Sequence, residues 1–188
     1  MLKEHALRQA STVRIALVHY TFPPVIGGVE RIAAEHAALI ADAGHEVTVI
    51  SANKPALRRS IPSVEIPLLA GSHPAIVAAH DELREGKAGV AFTAAKEALD
   101  AALIEALSAQ DIVIVHNVCT MPFNLPLVAA LSEFPARFST TRFVSWIHDI
   151  AALNPDYVIP HGQPWDLLRQ NWPGFECVAI SELRQTQW

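Results

Sequence analysis

Two adjacent glycines, Gly27 and Gly28, close a proline-rich loop at residues 21–28 and lead into the segment VERIAAEH. Glycine lets the backbone approach a ligand closely, and the unpaired N–H groups and dipole of the following helix favour an anion there. A diphosphate is the obvious candidate; for a Gly-Gly pair taken alone, a tight turn without a ligand is an equal alternative. His148 ends an apolar run and begins the loop HDIAALNPDY. A histidine there can exchange a proton or hydrogen-bond a sugar hydroxyl near neutral pH, or simply be satisfied by backbone. His116 and Asn117 end the preceding apolar run and either line the same cleft or cap the strand end. Tyr20 and Thr21 stand just ahead of the glycines, in reach of a ligand, with packing of the Tyr20 ring against the loop as the alternative. Glu30 suits a helix start without any further role. Asp149 is a candidate for orienting His148, although neighbouring strand residues face opposite ways. Ser181 and Glu182 are better read as the cap of a following helix than as cleft residues.

Other chemistries find little here. Neither GxGxxG after the first strand nor GxxxxGK[ST] is present, which weighs against a dinucleotide oxidoreductase and a P-loop ATPase. The nine histidines include no HExxH, and Cys119 and Cys177 form no CxxC, so no metal site is expected. GxSxG is absent too.

The elements that must hold these residues alternate regularly. Residues 13–19 (VRIALVH) are a near-continuous apolar run, as in a strand buried on both faces of a parallel sheet. A helix over 29–43 follows, with Ile32, Ala33, His36, Leu39 and Ile40 on its apolar face, then Gly44 as a left-handed cap and a strand at 46–51. This is a βαβ unit. Residues 53–89 are irregular and broken by prolines, with a short strand at 64–69. A helix over 90–109, a strand at 111–116, a helix at 124–131 and a strand at 142–148 come next. A short helix at 165–172 and a strand at 176–181 finish the chain. The pattern predicts a doubly wound, mostly parallel α/β sheet whose ligand lies beyond the carboxyl ends of the strands.

With 188 residues, 51% of them apolar and 18% charged, the chain is sized for one domain over residues 1–188. A net charge of -5 and scattered basic residues exclude a nucleic-acid footprint. The charged N-terminus, MLKEHALRQASTVR, is not a signal peptide, no apolar run is long enough to span a membrane, and two distant cysteines suit buried thiols in a reducing compartment. The cytoplasm is the expected location. Arg58 and the apolar residues 61–79 offer a weak contact to the inner membrane face, against which an ordinary surface loop is preferred.

The run RIALVHYTFPPVIGGVERIAAEHAALIADAGHEVTVIS resembles the opening of family 4 glycosyltransferases, and DIVIVHN, FVSWIHD and CVAISE follow in the family's order. The resemblance implies a GT-B enzyme with two Rossmann-like domains, of which this chain is the N-terminal, acceptor-side half. It implies that Gly27 and Gly28 reach the donor's phosphates and that His148 stands near the transferred sugar. Transfer from a nucleotide-diphosphate sugar would proceed with retention and without a metal or other cofactor. The acceptor is unknown, and Tyr20, Thr21, His116, Asn117 and Asp149 are candidates for contacting it or the sugar. The family's pair of donor-side glutamates is not Glu97 and Glu105, which have the spacing but belong to the wet side of a helix. The donor-binding domain would be supplied in cis or by a separate subunit, and the half alone would turn over little. The alternative is a non-catalytic binding module with a vestigial phosphate loop.

Overall fold

The computed structural model describes residues 11–188; most of the charged opening segment considered above as a leader, residues 1–10, lies outside them. Six strands, β1 (Arg14–Val18), β2 (Glu46–Ser51), β3 (Ser63–Glu65), β4 (Ile112–His116), β5 (Arg142–Ile147) and β6 (Phe175–Ala179), form one sheet. Every pairing is parallel and the order is β3-β2-β1-β4-β5-β6. This is a Rossmann-like order, reversing direction between β1 and β4.

The sheet is covered on both faces, and β1 shows why its sequence is apolar throughout. Ala16 and Val18 face a core with Ile50, Val113, Val115 and the buried leucines of the helix layer. Ile15 and Leu17 face the other core, with Val47, Val49, Ala33 and Ala37. The first layer comprises α2 (Pro74–Arg84), α3 (Val90–Leu107) and α4 (Leu125–Ser132). Leu99, Leu103 and Leu107 lie four residues apart on one side of α3 and are fully buried, each worth about 1.5–3 kcal/mol by transfer. The second core is thinner, because α1 (Gly28–Asp42) meets the sheet through alanines.

Several expectations need correcting. The buried line of α1 is Ala33 and Ala37, whereas Ile32 and Leu39 are exposed. Small residues let the helix approach the sheet, and that rotates the bulky ones outward. Residues 53–89 are more regular than their prolines suggest. They hold β3, a 3-10 turn at Pro67–Leu69 and α2, which starts at Pro74 behind a His73 cap. Proline at a first helical position promotes that helix. The expected helix at 165–172 is a 3-10 segment, Trp165–Arg169. Cys119 is buried but Cys177 is exposed, and both are free.

Other expectations match the structure. Gly44 adopts φ +90, and the amides of Gly44 and His45 return to Ala41 and Ile40 in a Schellman cap. Ser181 caps α6 (Glu182–Gln187), the next α-helix after the short α5 (Phe134–Arg137), accepting from the Arg184 N–H at 3.2 Å. Glu97 and Glu105 are solvent-exposed on α3. Among the described residues, no helix is long and apolar enough to cross a membrane.

Candidate functional site

A cleft of about 730 Å³ opens at the carboxyl edge of the sheet, where the strand order reverses. That is within the usual size of a small-molecule site. Tyr20, Thr21, Gly28, Asn117 and Asp149 all line it. Gly27, His116 and His148 do not.

At the glycine end, Gly27 is the N-cap of α1 in extended geometry, with no side-chain cap. Among the described residues, no carbonyl or side chain accepts from the N–H groups of Gly28 or Val29. No described residue comes within 4 Å of where a Gly28 Cβ would stand. Gly27 differs, since a Cβ there would meet the carboxylate of Glu30. Glu30 is the third helical residue and folds back toward the N-cap, in the manner of a capping-box glutamate. Its Oε1 accepts from the Thr21 hydroxyl at 3.0 Å and lies 3.7 Å from His19 Nε2. The His19 ring, its own amide and Thr21 hold its carboxyl down at about 2 against the opposing effect of burial. The helix start therefore carries a resident negative charge beside two unclaimed amides.

Behind the cleft, histidines gather. His19 Nδ1 donates to the His116 carbonyl at 2.7 Å, joining the ends of β1 and β4. His116 is fully buried, with Nδ1 3.4 Å from His148 Nε2 and its ring stacked on Trp146. His36 of α1 packs against both His116 and Trp146. Burial first, and then the neighbouring His36, His148 and His19, push His116 down to about 2, so it is neutral. Burial also lowers His148 and His36. Among the described residues, no group of three His, Cys, Asp or Glu side chains is placed to hold a metal ion.

Asn117 joins β4 to β5. Its backbone is left-handed, φ 51, and its Oδ1 accepts from the amides of His148 at 3.1 Å and Asp149 at 2.8 Å. Asparagine tolerates this conformation better than most residues. With its oxygen engaged, Asn117 offers a ligand its Nδ2 amide. Arg184 of α6 grips the same loop, donating to the His148 carbonyl at 3.0 Å and to Asp149 Oδ1 at 3.1 Å. Tyr20 lines the cleft; its hydroxyl is buried without a partner among the described residues, and burial raises its pKa well above the usual phenol range.

The sequence reading missed the far wall, made of Gly71, Ser72, His80, Phe123 and Tyr157. Phe123 and Tyr157 lie in the loops after β4 and β5; Tyr157 ends the loop HDIAALNPDY, in which sequence reasoning singles out only His148 and Asp149 as candidates. His80 lies on α2, inside the segment whose prolines hid its helix.

No protein-family profile matches the chain, and no curated protein does. Among solved structures, the crystal structure of TubZ from Clostridium botulinum phage c-st is similar over 77% of this chain and 42% of that chain, at 15% identity and a TM-score of 0.41. The chain thus spans less than half the length of that protein.

Proposed function

We propose that this chain is the acceptor-side half of a retaining glycosyltransferase of the family 4, GT-B type, taking sugar from a nucleotide-diphosphate donor. The observation that carries the reading is the pair of unclaimed amides at Gly28 and Val29. They open into a cleft at the point where the strand order reverses, where such sheets take their ligands. In this reading the donor diphosphate caps α1 at Gly28, with Gly27 keeping the turn clear of side chains. The bond between the anomeric carbon and the diphosphate breaks, a new one forms to the oxygen of an acceptor hydroxyl held in the same cleft, and the nucleoside diphosphate leaves with the hydroxyl's proton passing to its phosphate oxygen. A second domain, in cis or as a separate subunit, closes over the donor. His148 acts near the transferred sugar by the family resemblance, which requires its ring to turn from His116 toward the cleft.

A second reading, a binding module with a vestigial phosphate loop, is favoured by Glu30, whose carboxylate sits where a phosphate would be drawn. Amide-resolved NMR of the chain titrated with UDP-, GDP- and ADP-glucose separates the two. The proposal expects the Gly28 and Val29 resonances to move, and Gly28→Val to weaken binding at least about tenfold, or about 1.4 kcal/mol. If none of the three donors moves those amides in the wild type, while Glu30→Gln binds them, the loop is vestigial and the enzyme reading fails.

A further inference from the structure

We infer that the far wall of the cleft is a subsite for an uncharged saccharide, so that the acceptor is a neutral sugar ring and not a phosphorylated or anionic-lipid group. Phe123 is 42% exposed, and its ring forms T-shaped pairs with Tyr20 and Tyr157 at 5.7 and 6.0 Å. Such contacts hold the ring in place while leaving aromatic surface open to the cleft. The face of an aromatic ring is negative, and it attracts the slightly positive C–H groups that a sugar presents on one side. The position of this wall is fixed by backbone, since Gly71 is pressed against the carbonyl of Phe123 with no room for a Cβ.

Beside the platform stands a neutral donor. His80 Nε2 accepts from the Leu125 amide at 3.2 Å, so that nitrogen carries no proton and the ring's N–H is Nδ1. That N–H is the donor left to His80, whose side chain lines the cleft, and burial, aided by Arg84, lowers the ring's pKa and favours its neutral form. A fixed donor of this kind suits a hydroxyl or ring oxygen.

The charges of the cleft then select among acceptors. Among the described residues, the carboxylates lining it are Glu30 and Asp149, and no lysine or arginine lines it. Asp149 is paired to Arg184 from outside, whereas the Glu30 carboxylate stays ionised. An anionic acceptor would find no cationic side chain among the described residues of this wall, and it would meet the Glu30 carboxylate in the same cleft. A sugar's hydroxyls can instead donate to those carboxylates. That the sugar is an acceptor rests on the glycosyltransferase reading above; that it binds here rests on the wall alone.

The test is an amide- and aromatic-resolved NMR titration of the chain with methyl glycosides of glucose, galactose, mannose and N-acetylglucosamine. The 6-phosphates of glucose, galactose and mannose serve as charged counterparts. At least one neutral glycoside is expected to shift Gly71, Ser72 and the Phe123 ring, with its phosphate about fivefold weaker at low salt. Phe123→Ala and Tyr157→Leu, both at accessible positions, should each weaken the neutral sugar. Equal or tighter binding of the phosphates overturns the proposal, as do shifts that survive both substitutions. If no glycoside moves the wall while nucleotide sugars still move Gly28 and Val29, the subsite is wrong and the donor reading stands. If glycosides bind and nucleotide sugars do not, the subsite stands and the enzyme reading falls.

Discussion

Replacing Asn117 by alanine removes one side chain and charges the fold for two separate things. The first is the loss of Oδ1, the acceptor for the amides of His148 and Asp149. The His148 amide lies in a buried residue, and an amide left without an acceptor costs about 1–3 kcal/mol; for two of them, the second partly solvated, about 2 kcal/mol is a conservative sum. The second is conformational, since φ 51 strains alanine by about 1 kcal/mol more than it does asparagine. Asn117→Ala should therefore lose about 3 kcal/mol, and for a chain of this size the melting temperature should fall by about 6–12 °C. Asn117→Gly separates the contributions, because glycine accepts the backbone freely but supplies no oxygen, and it should lose about 2 kcal/mol. Urea unfolding of the three proteins, with unchanged m values, gives the differences directly. Equal stability of the alanine and glycine variants would refute the conformational part. A loss below about 1 kcal/mol in both would refute the account of Asn117 as the joint between β4 and β5.

Three further outcomes are expected. Glu30 has its carboxyl lowered from the ordinary 4.5 to about 2, so its contribution to stability is present above the unfolded value and is lost as pH falls toward the folded one. Acid titration should thus flatten in Glu30→Gln between about pH 5 and pH 2, and a curve parallel to wild type would refute the pairing. Gly71→Ala drives a methyl into the rigid Phe123 carbonyl and should cost about 1–3 kcal/mol, whereas Gly27→Ala meets only the movable end of Glu30 and should cost less; thermal melts showing the reverse order would sink this reading of the two contacts. His148→Ala should lower transfer at least about a hundredfold with the donor-binding half present, leaving saccharide affinity in the cleft unchanged; an unaltered kcat removes His148 from the mechanism.

The inner strands were legible because a strand covered on both faces of a parallel sheet reads as an apolar run closed by a polar residue at its carboxyl end, whereas the edge strands β3 and β6 have no buried residue. Val13–His19 and the run ending at His116 carry that signature without ambiguity, and β1 and β4 lie within them. The strand ends in turn pointed to Tyr20, Thr21, Asn117 and Asp149, which the fold brings to one cleft. Orientation was not legible. An imidazole at a strand end can turn into the cleft or behind it, and His116 and His148 turn behind, toward each other. The far wall was hidden for another reason. Gly71 and His80 reach the cleft from a segment with no sequence register to the sheet, and only tertiary packing of α2 on α3 and α4 brings them there. The exposure of Ile32 and Leu39 follows the same logic, since helical spacing specifies a stripe but the size of its residues decides which edge of it touches the sheet.

Arg184 gives the end of the chain a grip on its middle. Its guanidinium bridges the last helix to the backbone of His148 and the carboxylate of Asp149, so that helix is moored directly to the rim of the cleft. Sliding α6 by a single ångström would stretch both bonds beyond useful length, and the loop would have to follow or let go. Anything that takes hold of residues 182–187 therefore steers the Asp149 side of the opening from a distance, with Arg184 as the tiller.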